Sequence, residues 1–273
     1  MRDAAFKSVA VGFFDGVHLG HQEILDKAES ALTFSSHPLE VLCPEKAPRL
    51  IMSNEERLAS IGKPTTVLEF TRELASMSAE EFAEKHFKGK KVYSGANWTF
   101  GKGGVGNIDW LIAHGYEAEV VPYATYHSEP ISSTRIRAAL LNGEVKAAAE
   151  MMGRPYKVRG VTFKGKGKGK ELGYPTINIR PKKPMALKTG VYKVELNGSL
   201  GIANFGYAPT FNKDAWSSPT LEVHLLNSDR HFITPTHNSN YEVIFLDFVR
   251  EEKRFTSLEE LKLQIAKDVA NVV

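Results

Sequence analysis

Cysteine is nearly absent: Cys43 is the single one in 273 residues. An intrachain disulfide is therefore excluded, and this usage suits a reducing cytoplasm. Long apolar runs are missing too. None approaches the roughly 20 residues that a membrane span needs. The opening segment MRDAAFKSVAVGFFDG has an apolar stretch too short for a secretory leader, and Asp15 interrupts it. Neither sign of charge dominates: 35 basic against 32 acidic side chains leave a formal +3. That is too mild to argue for nucleic acid, though it suits small anionic substrates. The expectation is a cytoplasmic protein with no membrane and no nucleic-acid partner. What is present is ordinary globular composition, 42% hydrophobic and 25% charged, in a length that suffices for one large domain or two smaller ones.

The stretch Ser8 to Leu25 carries the densest signal. Val9 to Phe14 is a short apolar run that ends at an Asp15-Gly16 turn, as a buried strand feeding a tight loop does. His18, Gly20 and His21 follow, and then Ile24, Leu25 and Ala28 at helical spacing. A strand, a glycine-containing turn and a helix N-terminus form an anion site, because free backbone N–H groups and the helix dipole point at the turn. Two imidazoles three positions apart share one face of the first helical turn, where they can donate hydrogen bonds to nucleotide phosphates. The residues alone leave two other readings open: the start of a zinc site, for which Cys43 lies in no ligand-like cluster, or a pair of structural histidines.

Beyond it, helices are expected at Glu23–Ser30, after the Ser53/Glu56 and Ser78/Glu81 capping boxes, and at Asp109–His114. Strands are expected at Ala31–Phe34, Val67–Phe70, Lys91–Ser94 and Glu117–Pro122. Pro38 pushes His37 into an extended conformation. Gly95 to Gly106 contains a formal G-x-G-x-x-G at Gly101, Gly103 and Gly106, but an aromatic-polar loop precedes it, so it is no dinucleotide fingerprint. Ser132, Ser133, Thr134 and Arg135, followed by Arg137, place capping hydroxyls and arginines at another helix start, a second anion site or an ordinary capped helix. The alternation of strands and helices predicts a parallel doubly wound sheet, with both anion sites at the crevice end.

The pattern changes after the helix stop Gly153-Arg-Pro155. We place a domain boundary there, giving 1–152 and 153–273. Tyr156–Phe163, Gly190–Leu196, Gly201–Phe205, Leu221–Leu226 and Tyr241–Leu246 read as short strands of an antiparallel barrel or sandwich, with one terminal helix over Ser257–Val269. KGKGKGK at 164–170 is a flexible basic loop without a Walker pattern. Thr176 and Asn178 put two oxygen-bearing side chains on one face of a strand, and on another strand Glu222 and His224 share one face, with Val223 and Leu225 on the other.

GFFDGVHLGH resembles the signature of the nucleotidyltransferase domain of bacterial FAD synthetases, the bifunctional riboflavin kinase/FMN adenylyltransferases. Three further segments resemble that family in order: Ser-Ser-Thr-Arg-Ile-Arg at 132–137, Tyr-Pro-Thr-Ile-Asn at 174–178, and Glu-Val-His at 222–224. The resemblance implies a Rossmann-like α/β nucleotidyltransferase domain and a C-terminal β-barrel flavokinase domain. His18 and His21 would then stabilise moving phosphates, with Gly12, Phe13, Asp15, Gly16, Gly20, Ser132, Ser133, Thr134 and Arg135 around the nucleotide. Glu222 would be the base of the kinase half, with Thr176 and Asn178 at the Mg²⁺ that accompanies ATP. Asn97, Trp98 and Phe100, and separately Arg250, Glu252 and Phe255, would lie by the flavin. The partners implied are riboflavin, FMN and ATP, with weak self-association. The chain departs from the family at Ser35-Ser36, where an Asp-Pro pair is usual; at Asn97, which replaces an aspartate; in a shorter first helix-strand unit; and in the 227–240 loop. Three alternatives therefore stand beside two-step FAD synthesis: retention of one activity, with riboflavin kinase favoured; a flavin-binding regulator without turnover; or a nucleotidyltransferase for another substrate.

Overall fold

A computed structural model describes residues 6–165, 168–181, 185–207, 219–226 and 239–272. The chain forms two compact units, Met1–Ser133 and Thr134–Val273.

The first unit runs β1 (Ser8–Val11), α1 (Leu19–Asp26), β2 (Ser30–Phe34), α2 (Pro38–Leu42), α3 (Asn54–Ile61), β3 (Thr65–Leu68), α4 (Arg72–Ser76), α5 (Ala79–His86), β4 (Lys91–Gly95), α6 (Ile108–Ala113) and β5 (Ala118–Val121). A two-stranded hairpin of β6 (Thr125–Tyr126) and β7 (Glu129–Pro130) comes next. The main sheet has the order β3-β2-β1-β4-β5 and is parallel throughout. The chain winds from β1 outward to β3, then returns to the other side of β1 for β4 and β5. This is the doubly wound arrangement expected, and it opens a crevice at the C-terminal ends of β1 and β4. Successive β1 side chains alternate between two cores. Val9 and Val11 join Leu32, Phe82, Phe87 and Leu111 on one side; Ala10 joins Phe14, Ile24, Leu25 and Ile61 on the other. Both capping boxes form, at Ser53/Glu56 and Ser78/Glu81. The first helix starts earlier than Glu23, because His18 itself caps it.

The β6–β7 hairpin turns through His127 and Ser128, whose φ values are 51° and 64°. A two-residue turn with both φ values positive matches the twist of the flanking strands, and asparagine followed by glycine fits it best. A His127→Asn/Ser128→Gly variant is therefore expected to be more stable by about 1 kcal/mol, after allowing for the unfolded-chain entropy glycine adds. Denaturant unfolding checks this; an unchanged or lower midpoint would count against the turn assignment.

Unit two takes in α7 (Ser133–Asn142) from Thr134 onward, and α8 (Val145–Met152). The compact units thus divide ahead of the Gly153-Arg-Pro155 stop signal, because these helices pack onto segments C-terminal to it. The amide of Lys188 donates to the carbonyl of Leu140 at 3.0 Å, Lys146 pairs with Asp247 at 2.6 Å, and Gly143 lies so close to Phe248 that a Cβ would sit 3.0 Å from its ring.

Then come β8 (Tyr156–Phe163), the single turn α9 (Lys168–Glu171), β9 (Ile177–Pro181), β10 (Gly190–Leu196), β11 (Ser199–Tyr207), β12 (Pro219–Leu225), β13 (Asn240–Arg250) and α10 (Leu258–Ala270). The strands close into an antiparallel barrel in the order β10-β11-β12-β9-β8-β13, with β13 also pairing β10. Of the barrel and the sandwich, the barrel forms because β13, 11 residues long, reaches both β8 and β10. Ser257 caps α10, but Glu260 turns its carboxylate to the amide and hydroxyl of Thr256 rather than completing a box. Most of the divergent 227–240 loop and part of KGKGKGK lie outside the described residues. Among the described residues, no helix is long and apolar enough to cross a membrane.

Candidate active sites

In the α/β unit, β1 ends at Val11 and the chain turns through Gly12 to Val17 before α1. Three residues of this turn have positive φ: Phe14 at 58°, Gly16 at 83° and Val17 at 38°. For Phe14 and Val17 that is strained backbone of the kind concentrated at functional sites. Gly16 is required twice over, since a Cβ there would also lie 2.9 Å from Ile51. His18 is buried, and its Nδ1 accepts from the amide of His21 at 3.3 Å. The two imidazoles stack with centroids 3.6 Å apart, and His21 meets the edge of Phe14 at 5.3 Å. The pair thus sits at the N-terminus of α1, the positive end of the helix dipole.

The carboxylate of Asp15 is buried, accepting from the amide of Ile51 at 3.1 and 3.2 Å. It braces the turn. Its carbonyl accepts from the hydroxyl of Ser133 at 2.9 Å, a bond within the first unit that ties Ser133 to the turn. Ser132 is half-buried beside Ser133, Thr134 is exposed on the first turn of α7, and Arg135 is half-buried on the same turn.

Sequence reasoning missed Arg57, which is fully buried on α3. Its Nη1 donates to the carbonyl of Phe13 at 2.5 Å and to the hydroxyl of Thr33 at 2.7 Å. Its Nη2 donates to the carbonyl of Phe34 at 2.5 Å and to Asn54 Oδ1 at 2.6 Å. The guanidinium also lies 4.2 Å from the centroid of Phe13. Burial pushes its pKa down to about 10, with the nearby Asp15 charge opposing the fall, so it remains a cation at neutral pH. No local signal marks it: in Asn-Glu-Glu-Arg it looks like any solvated helix charge. His37 is extended as expected and caps α2, with its ring edge-on to Phe13 at 4.9 Å.

The Gly95–Gly106 segment divides. Asn97 is exposed just past the C-terminal end of β4. Phe100 is not available to a ligand: it is 6% exposed and packs among Phe82, Phe87 and Trp110. It packs in the core rather than by the flavin, where the resemblance would place it. Trp98 is half-buried and stacks on Phe100 at 4.9 Å, which leaves part of the indole outward. The glycines serve this packing, since a Cβ on Gly106 would lie 2.6 Å from the Phe100 ring and one on Gly101 would strike Ala79 at 2.8 Å.

In the barrel unit a pocket of about 340 Å³ is lined by Thr176, Asn204, Glu222, His224, Arg250 and Phe255 among others. Strand register assembles it. Glu222 on β12 lies opposite Asn178 on β9 and opposite Asn204 on β11. Leu221, Val223 and Leu225 fill the interior, so Glu222 and His224 point the other way. His224 Nδ1 lies 2.9 Å from the carbonyl of Pro175, an arrangement that needs its proton on Nδ1 and fixes the turn leading into Thr176. Gly165 and Gly169 of the basic loop lie directly on the oxygen-bearing side chains. A Cβ on Gly165 would be 2.3 Å from Asn178 Nδ2, and one on Gly169 would be 3.2 Å from Thr176 Oγ1. Thr176 and Asn178 offer neutral, hard oxygen donors, a set that fits Mg²⁺ arriving with nucleotide phosphates. Among the described residues no cluster of three or more His, Cys, Asp or Glu is placed to hold a metal by itself.

The other wall is α10. Arg250 holds it through Asp268, with Nε at 2.9 and 3.0 Å and Nη2 at 2.7 Å from the buried carboxylate. Arg250 therefore acts on the pocket by anchoring its wall. Glu252 lines the pocket and accepts from Asn204 Nδ2 at 3.4 Å, and Phe255 lies 5.9 Å from the Arg250 guanidinium.

Comparison with known proteins covers both units. The FAD synthetase family model matches residues 2–135 and the riboflavin kinase family model residues 152–273. The chain is 32% identical to the bifunctional riboflavin kinase/FMN adenylyltransferase of Bacillus subtilis, over 98% of this chain and 92% of that protein. It is 33% identical to the one from Pseudomonas fluorescens, over 95% and 90%. Among solved structures, a crystal structure described as a macrolide-efflux protein from Streptococcus pneumoniae superposes with a TM-score of 0.82 at 28% identity, over 98% of this chain and 94% of that one. With both family models in sequence and relatives matched almost end to end, the chain belongs to the bifunctional riboflavin kinase/FMN adenylyltransferase family.

Proposed function

We propose that this chain makes FAD in two ATP-dependent steps, with residues 153–273 as the riboflavin kinase domain and residues 1–152 as the FMN adenylyltransferase domain. The observation that carries the reading is the register that sets Glu222 between Asn178 and Asn204 in the wall of the barrel pocket.

In the first step the riboflavin 5′-hydroxyl attacks the γ-phosphorus of ATP. Its proton passes to the Glu222 carboxylate, the bond to the β–γ bridging oxygen breaks, and FMN and ADP leave. Thr176 and Asn178 would hold the Mg²⁺ that accompanies ATP, which would supply charge neutralisation at the nucleotide phosphates. Glu252 and Phe255 face the flavin, and Arg250 keeps α10 against it. In the second step a phosphate oxygen of FMN attacks the α-phosphorus of another ATP, and pyrophosphate leaves. His18, His21, Ser133 and Arg135 stabilise the phosphate charge, with the Gly12–Gly16 turn and the start of α1 supplying amides. Ser132 and Thr134 flank this nucleotide site, and Asn97 and the outer part of Trp98 face FMN. No covalent enzyme intermediate is required. The sparing use of cysteine supports a cytoplasmic place of work.

A chromatographic time course with riboflavin, ATP and Mg²⁺, repeated from FMN, tests this. FMN followed by FAD from riboflavin, and FAD from FMN, is expected. FMN that accumulates without FAD would reduce the function to riboflavin kinase; this narrower reading is favoured by Asn97, a neutral amide exposed where the family has a carboxylate. No product with tight flavin binding would mean a regulator.

A further inference from the structure

We infer that Arg57 is a positioning residue of the adenylyl-transfer site, one that sets the shape of the phosphate-facing turn from beneath. This rests on the proposed function of the α/β unit. Arg57 comes from α3, yet its guanidinium spans the C-terminal ends of two adjacent strands. It takes the Phe13 carbonyl just past β1, and the Thr33 hydroxyl and Phe34 carbonyl at the end of β2. Asn54 accepts from both Nε and Nη2, which locks the rotation of the guanidinium plane. A buried cation is expensive unless its donors are satisfied, and this one is held chiefly by neutral oxygens. Its attachment to the Phe13 carbonyl orients the peptide that opens the turn, immediately before Phe14, Gly16 and Val17 adopt positive φ. Phe13 is gripped on its ring face as well. Strained turns persist only where their surroundings over-determine them, and Arg57, with Asp15 on Ile51 and Ser133 on the Asp15 carbonyl, does so here. A fixed positive charge beneath an anion site also raises the local potential for a nucleotide.

The test compares Arg57→Met and Arg57→Lys with the wild type in the full-length chain, measuring FMN to FAD and riboflavin to FMN on the same preparations. For Arg57→Met, adenylyl transfer is expected to lose about a hundredfold in kcat/KM, with KM for ATP raised, as misplacement of a reacting group by about an ångström does. Riboflavin phosphorylation should stay within twofold. A lysine carries the charge but lacks the planar fork, so Arg57→Lys should recover only part of the loss. A role confined to stability would lower the melting temperature and the active fraction while leaving KM for ATP unchanged, and that result overturns the inference. So does complete recovery in Arg57→Lys, which would reduce Arg57 to a charge. If Arg57→Met does not fold, Thr33→Val removes one acceptor of the same guanidinium, and a several-fold rise in KM for ATP is expected; no rise counts against the inference. Should the wild type itself make no FAD from FMN, the function proposed for this unit fails, whereas wild-type turnover with an unaffected Arg57→Met fails the inference alone.

Discussion

Glu222→Gln makes almost no FMN from riboflavin, falling by about 10²- to 10⁴-fold, the range for loss of a positioned general base, while it still converts FMN to FAD. The side chain is exposed to the pocket and leaves the barrel interior to Leu221, Val223 and Leu225, so the amide replaces the carboxylate without a cavity or an overpacked core. Asn178 and Asn204 flank it in register, so the glutamine can still be held in place while it can no longer take a proton. The two reactions followed on one preparation give the comparison its control. Unchanged phosphorylation of riboflavin by the variant would remove Glu222 from the mechanism.

The histidine pair yields the opposite pattern. Loss of either imidazole should lower adenylyl transfer by about 10²- to 10³-fold, as removal of a preorganised donor to developing charge does, and leave riboflavin phosphorylation in place. One complication can be separated. His18 is also the N-cap of α1, since its Nδ1 accepts the amide of His21. His18→Ala therefore removes a cap as well, about 1 kcal/mol of stability. Asparagine is among the best capping residues, so His18→Asn should hold the helix start and still lose adenylyl transfer. Because the rings stack at 3.6 Å, the double variant should fall short of the product of the singles. Adenylyl transfer at the wild-type rate in His18→Asn would show that the residue is a cap and nothing more.

The turn before α1 was legible because its signals are local: an apolar run, Asp15-Gly16, and two histidines on one helical face. Strands β8 and β10 were read with their observed ends for the same reason. What escaped depends on partners distant in sequence. Arg57 meets the Phe13 carbonyl across 44 positions and Phe34 across 23, and nothing in Asn-Glu-Glu-Arg announces those acceptors. The facing of Glu222 by Asn178 depends on which strands pair, and alternation along each strand is identical in a barrel and a sandwich. The β6–β7 hairpin was missed because His127-Ser128 carries no glycine to flag its positive φ values. Phe100 shows the reverse limit: an aromatic in a glycine-rich loop fits a stacking surface and a core equally well, and only packing decides.

The barrel also dictates an order of manufacture. Every ladder of the α/β sheet is complete once β5 has been made, at Val121, so that unit can condense while the remainder is still being translated. The barrel cannot close until β13 is available to bridge β8 and β10, and the pocket has no second wall until Asp268 on α10 can meet Arg250. At a synthesis rate of about 5–20 residues per second, roughly seven to thirty seconds separate the two events. The half proposed to act second is thus ready first, and the half that supplies its substrate is finished last.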